Sequence, residues 1–433
     1  MNTPPQLQAK LSQYVDLHQD RLLEILQTLV RIPSENTPPV GAEQKCQTWI
    51  AEQLKEIGWS SELYDIDHVP GLPAHPLFHP GRDYRGRPNL ASLHKGTGGG
   101  RSLLLTGHID TVPRGTQAWT RNPFSGYIEG NRLYGRGSND MKGGVATNLF
   151  VAECVAKLNL PMKGDLLFES VVDEEFGGAN GTLAGRLRGH NADAVILSEP
   201  SSLRICPAQR GGQVVHLTFR NPTGGVLQSD FFPTGAIPQL THVLGCVKEF
   251  AAHRLATFKP HELYLSLKDP VPVVVTKVFT GPWGFGEPIT VPESAQLEMY
   301  WQFMPGETGE DIERDFQQWL RALVERDPRI FPSFPDIHYP VRCLPASAIS
   351  VKDPLVTELT ACAVRTLGLT PAIQGIEGPC DMFIFQQAFQ IPAVIFGARG
   401  SNTHAADEYV EIDSLVATAK TLLLFVAEWC GLR

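Results

Sequence analysis

The feature that most constrains this chain is a regular alternation of short apolar runs with amphipathic stretches over residues 89–198. "NLASLH" and "SLLLTG" read as strands, 143–158 as a helix, "DLLFESVV" as a strand, 180–187 as a short helix and "DAVILS" as a strand. Strands separated by helices pair mainly in parallel, because each crossover lays a helix on a face of the sheet. A three-layer α/β/α unit is therefore expected. Ahead of it, residues 6–31 and 41–57 carry helical periodicity, and the Pro-, Gly- and His-rich passage 69–88 reads as a loop.

The pattern changes after "PAQRGG". "QVVHLTF" alternates like a half-exposed strand, 235–256 is helical, and "PVVVTKVF" and "SAQLEMYWQF" are strands, the second with Leu297, Met299, Trp301 and Phe303 on one face. Residues 308–326 form an amphipathic helix and "DIHYPVR" a last strand. The order β-α-β-β-α-β is that of a split βαβ unit, a small α+β, ferredoxin-like domain. From about 353 the α/β pattern resumes as helix, "AIQG", helix, "PAVIFG", loop, helix. A chain of 433 residues exceeds one ordinary core. The expected division is 1–211 with 344–433 as the larger domain, interrupted by 212–343.

Charge and cysteine content narrow the function classes. A formal charge of -9 and the lack of any basic run argue against a nucleic-acid or anionic-membrane partner. The eight cysteines are scattered without a CxxC pair, and no secretory segment precedes them. They read as reduced thiols in a cytoplasmic protein. No apolar stretch approaches the roughly 20 residues that span a bilayer.

The chemistry-bearing residues gather at one predicted rim. "LLLTGHIDTVP" ends an apolar strand on His108, with Asp110 two residues on. "GRGSNDMKGG" places Asp140 in a glycine-rich turn before a helix. "VVDEEFGG" puts Glu174 and Glu175 after a strand, "VILSEP" puts Glu199 at the tip of the next, and "FGARGSNTHAADEY" puts His404 in a loop after "PAVIF". Sites in open α/β sheets collect at the carboxyl ends of the strands. Taken singly, each residue has a plainer reading: a hydrogen-bonded loop histidine, a solvated acidic pair, a helix cap for Asp140. Together, two imidazoles and four carboxylates suit zinc, cobalt or manganese. Carboxylates crowded without a cation would repel one another. Asp110 is placed to accept the proton on the second ring nitrogen of His108, which orients a ligand. A metal with an uncommitted carboxylate beside it is the equipment of a hydrolase.

The ordered set "GHIDTVP", "GRGSNDMKGG", "VVDEEFGG", "LSEP" and "THAADEYV" resembles the co-catalytic di-metal aminoacylase and carboxypeptidase family, which includes acetylornithine deacetylase, succinyl-diaminopimelate desuccinylase, carboxypeptidase G and aminoacylase-1. The likeness runs from "LVRIPSENTPP" to "DEYVEIDSL". It implies a catalytic domain interrupted by a lid and dimerisation domain, and two divalent ions, zinc first. It also implies His108 and Glu199 on one ion, Glu175 and His404 on the other, and Asp140 bridging. Glu174 would be the general base and Asp110 the orienter of His108. The peptide bond Asp140–Met141 is expected to be cis.

The lid departs from the family pattern. The expected histidine falls near Gly225, and no histidine stands between His216 and His242. His216 and His242 are the candidates to replace it as oxyanion donor, with a core or surface role as the plainer reading. Gln302 occupies the place of an arginine that holds a substrate carboxylate, and Ile289 that of an asparagine. "GPCDMF" keeps the family's aspartate as Asp381, with Phe383 where an arginine is frequent. Glutamine cannot reproduce a bidentate guanidinium clamp. The expected activity is hydrolysis of an amide in a small N-acylated amino acid or related compound, in a protein that forms a homodimer through its lid. The alternatives are a dipeptidase or other metallopeptidase, and a hydrolytically poor metal-binding module.

Overall fold

The computed structural model describes residues 4–177, 180–220, 235–281 and 291–432. Six strands of the larger unit form one sheet: β1 (Ser60–Tyr64), β2 (Asn89–His94), β3 (Leu103–His108), β4 (Leu166–Val171), β5 (Ala194–Leu197) and β6 (Ala393–Ile395). Their order is β6-β5-β3-β4-β2-β1. The first four of that order pair in parallel, and β2 runs antiparallel between β4 and β1. The fold is thus α/β with a mostly parallel central sheet. Every residue of β3, β4 and β5 is buried, so these strands open on apolar runs (Leu103–Leu105, Leu166–Phe168, Ala194–Leu197) rather than alternating.

The helices of this unit are α1 (Pro5–Leu17), α2 (Gln19–Arg31), α3 (Gln44–Glu56), α4 (Lys142–Lys157), α5 (Asn180–Leu187), α6 (Pro354–Leu367) and α7 (Ile412–Trp429). The expected helix over 6–31 is two, broken at His18, where φ is -120°. Only Leu11 and Val15 of α1 are buried, against five residues of α2, so α2 is the more deeply packed of the two. Helix α4 is buried along almost its whole length. Its two glycines permit the approach: a Cβ on Gly144 would stand 2.0 Å from the carbonyl oxygen of Ser198, at the tip of β5.

The chain divides into two compact units, the second comprising Gln209–Ser347 and Glu377–Pro379. Residues 377–379 join it because Arg210, itself buried, donates Nε and Nη2 to the Glu377 carbonyl at 2.8 and 2.5 Å. This unit runs strand Gly211–Arg220, helix Ala236–Thr257, strands Val273–Thr280 and Ser294–Phe303, helix Gly309–Arg326 and strand Asp336–His338. In space the four strands lie in the order second, third, first, fourth, all antiparallel. Leu297, Met299, Trp301 and Phe303 form its core together with Phe250 and Phe316 of the two helices.

Three expectations need correction. "DIHYPVR" pairs only over Asp336–His338, because Pro340 has no N–H to donate to the ladder. "AIQG" forms no strand; one bridge joins Ile373 to Ile205, since four residues bounded by Pro371 and Gly375 are too few to extend it. The helix after "GPCDMF" is a five-residue π turn, Ile384–Ala388. All eight cysteines are free thiols. Among the described residues no helix is long and apolar enough to cross a membrane.

Candidate metal centre

His108 is the last residue of the central strand β3, and parallel pairing carries the tips of β4 and β5 to the same edge. The residues after those tips supply Glu174, Glu175 and Glu199. Asp140 enters from the turn ahead of α4, across a cis peptide bond to Met141. His404 comes from the loop after β6, with φ of +63°. Two groups of possible ligands result: His108, Asp140 and Glu199, and Asp140, Glu175 and His404, each with donor atoms within 4.8 Å of one another. Asp140 belongs to both. Its Oδ1 lies 3.2 Å from His108 Nε2, and its Oδ2 lies 3.3 Å from His404 Nε2. Glu199 stands 3.5 Å from His108 Nε2, and Glu175 stands 2.9 Å from His404 Nε2.

Glu174 is in neither group. Its Oε2 lies 4.0 Å from His108 Nε2, beside the cluster rather than within it. The chain therefore separates the adjacent glutamates, Glu175 toward His404 and Glu174 toward His108. Glu175 is further held by the N–H of Val112, which donates to its Oε1 at 3.1 Å.

Asp110 serves differently from the expectation. The ring Nδ1 of His108 lies 2.9 Å from the main-chain oxygen of Asp110, and 3.7 Å from its carboxylate. The carboxylate is occupied elsewhere. It accepts the main-chain N–H groups of Glu174 and Glu175, each at 3.2 Å, and the side-chain amide of Asn36 at 2.9 Å. One residue thus touches the His108 ring with its backbone and the glutamate turn with its side chain.

Glu408 was not singled out by the sequence, although it closes the "THAADEYV" motif. Its buried carboxylate accepts the N–H groups of Gly137, Asn139 and Asp140 at 2.9, 3.0 and 3.0 Å, and Arg136 at 2.6 Å. It ties the turn that carries Asp140 to the loop that carries His404. The signal was there to find: a second acid four residues beyond His404, within the same motif.

The substrate-side candidates lie in different units. Asp381 is buried in the larger one and accepts the Thr182 hydroxyl at 2.6 Å. Gln302 lies on the strand Ser294–Phe303 of the smaller one and donates to the Tyr300 hydroxyl at 2.8 Å. His216 pairs with Glu298 at 2.8 Å and His242 with Asp327 at 2.9 Å, so both candidate histidines are engaged within the smaller unit. Gly225 and Ile289 lie outside the described residues.

The electrostatics of the centre call for a cation. Burial raises Glu199 well above the usual carboxylate range, opposed by His108 and reinforced by Asp140, Glu175 and Asp381. Burial likewise raises Glu174, again against His108, with Asp381, Glu199 and Glu175 adding. His404 would be lowered by burial, but hydrogen bonds to Asp140 and Glu175 push it up to about 11. Protons on the two imidazoles thus occupy the place of positive charge. Divalent ions fit the same donors, since carboxylate oxygens and imidazole nitrogens in this number suit zinc, cobalt or manganese.

The sequence profile described as peptidase family M20/M25/M40 matches residues 104–428. The chain is 26% identical to an N-formyl-4-amino-5-aminomethyl-2-methylpyrimidine deformylase of Bacillus subtilis, over 97% of each chain. It is 26% identical to a succinyl-diaminopimelate desuccinylase of Methylocella silvestris, over 92% of this chain and 95% of that one. Its fold matches the di-peptidase Dug1p of Saccharomyces cerevisiae with a TM-score of 0.75, at 16% identity and 98% coverage of both chains.

Proposed function

The chain belongs to peptidase family M20/M25/M40, a family of amide-bond hydrolases, and on that premise we propose that it removes a small acyl group, formyl first, from an amine that bears no carboxylate clamped by arginine. The observation that carries the reading is the place of Glu174, outside both ligand groups yet 4.0 Å from His108. A carboxyl of that kind is free to handle protons.

In this reading His108 and Glu199 would hold one divalent ion and Glu175 and His404 the second, with Asp140 common to both ligand groups. Ions of this class supply Lewis-acid polarisation of a carbonyl and of water. Glu174 then takes a proton from the attacking water and returns it to the departing nitrogen. Burial and neighbouring acids raise its basicity, which suits both halves of that transfer. Asp110 fixes the His108 ring through its main-chain oxygen and aligns the glutamate turn through its carboxylate. Asp381 supplies an acceptor near Glu174 for a donor group of the substrate.

Two observations favour an N-formyl amine over an N-acyl amino acid. Gln302 stands where the family carries a carboxylate-binding arginine. The deformylase relatives cover 97% and 98% of the chain, against 91–93% for desuccinylases of similar identity. The smaller unit is also the proposed homodimer contact, because its outer strand Val273–Thr280 exposes Val274, Val278 and Phe279.

The test is formate release from N-formyl-4-amino-5-aminomethyl-2-methylpyrimidine, compared with succinate release from succinyl-diaminopimelate, on protein loaded with zinc. Turnover of the first with little of the second is expected. Preference for the succinylated substrate would overturn the assignment of acyl group, and no release from either would overturn the amidase reading.

A further inference from the structure

Passage 69–88 has no part in the function described so far, yet its "GRDYRGRPN" sends three side chains to one turn. That turn, 173–176, carries Glu174 and Glu175. Tyr84 donates its hydroxyl to Asp173 Oδ2 at 2.5 Å. Arg82 donates to the Phe176 carbonyl at 2.7 Å and lies 3.5 Å from Asp173 Oδ2. Arg87 lies 3.6 Å from Asp173 Oδ1 and is itself held by Glu43 at 2.6 Å. From the other side, the Asn36 amide donates both to Asp173 at 3.1 Å and to Asp110 at 2.9 Å. Asp110 then accepts the N–H groups of Glu174 and Glu175. A second tie closes the far end, where the side chain of Asn180 exchanges two hydrogen bonds with the backbone of His79, at 2.9 and 2.6 Å.

A buried ion-pair network of this kind has a plain reading as fold stability. Buried pairs are weak evidence for that, because desolvation offsets much of their attraction. The destinations of the bonds argue for something more specific. They end on the first residue of the turn, on the amides of both glutamates, and on the carbonyl that follows them. Asp173 sits at φ +64°, in the left-handed region that few residues other than Gly, Asn and Asp adopt. Asp173 is fully buried, as are Asn36, Asp110 and Arg87.

We propose that Arg82, Tyr84 and Asp173 are positioning residues for the glutamate turn, setting the aim of Glu174 and keeping Glu175 on the His404 side. The proposal rests on the reading of Glu174 as base and Glu175 as ligand. Loss of the clamp leaves the reacting groups present but misplaced, so turnover falls while substrate affinity is kept.

The test uses Tyr84→Phe, which removes one hydroxyl, and Asp173→Asn, which removes a charge with a residue that tolerates the left-handed region. Each is measured for kcat and KM on the N-formyl pyrimidine, for metal ions per chain, for Tm, and for the visible absorption of the cobalt(II)-loaded protein. The expected result is a fall in kcat of about 10–100-fold, the size seen for partners that orient ligands, with KM and metal stoichiometry little changed and a shifted cobalt spectrum. Wild-type kcat and wild-type spectrum in a folded variant overturn the proposal, as does a fall in kcat that vanishes once the loss of Tm is compensated by cooling. If wild-type protein turns over no substrate, the functional reading fails on its own, and the cobalt spectrum still decides the clamp. If one variant does not fold, the other decides by the same criteria.

Discussion

Glu174 and Glu175 are chemically identical neighbours, and their surroundings give them separate work. Glu175 reaches His404 at 2.9 Å, whereas Glu174 lies against the His108 side, outside both ligand groups. Glu174→Ala should lower kcat on the order of 10²–10⁴-fold with metal content intact, as removal of a general base does. Glu175→Ala should instead lower the metal bound per chain from two toward one, read by elemental analysis. The reverse pattern would exchange the two roles. Ion uptake should also release protons. The imidazole of His404 is raised to about 11 in the metal-free centre, and a ligand imidazole must be neutral. A group whose pKa is raised holds its proton below that value, so affinity for zinc should climb as pH rises. Calorimetry in buffers of different ionisation heat would show about one proton released per imidazole ligand, and a pH-independent affinity would contradict this.

Helix α4 shows what an element contributes to the site. It begins just after Asp140 and packs so closely on β5 that a Cβ at Gly144 would meet the Ser198 carbonyl at 2.0 Å. Ser198 precedes Glu199, so the same contact fixes the spacing of the two segments that carry the candidate ligands Asp140 and Glu199. Gly144→Ala should destabilise the protein by about 1–3 kcal/mol, as overpacking does, and weaken metal binding as well. Thermal denaturation with and without zinc separates the two effects. At this scale the central strands were legible in the sequence, because burial on both faces writes them as predominantly apolar runs such as "LLF" at the start of Leu166–Val171 and "AVIL". The break at His18 and the π turn at Ile384–Ala388 were not legible, because apolar spacing continues through both.

At the scale of the whole chain, a six-stranded sheet and a smaller four-stranded one are separately packed units. The outer strand of the smaller sheet pairs on one side and exposes Val274, Val278 and Phe279, the last 65% exposed. Phe279→Asp should therefore shift the proposed dimer toward monomer in sedimentation velocity, with the metal content of the larger unit unchanged. A wild-type protein that sediments as a monomer would remove that proposal.

By itself the sequence determined the α/β order of the elements and the gathering of six chemistry-bearing residues at one edge. Periodicity and strand ends are local properties, and parallel pairing carries every such end to the same rim. Only the tertiary structure decided which atoms do the holding. It put the Asp110 carbonyl, rather than its carboxylate, on His108, joined Glu408 to the Asp140 turn, and turned the arginines and tyrosine of an unremarked loop onto Asp173. All but the first of those contacts join residues far apart in the chain, up to 268 positions for Glu408 and Asp140. Their partners are chosen by packing and by the need to satisfy buried polar groups, and neither leaves a local pattern in the chain.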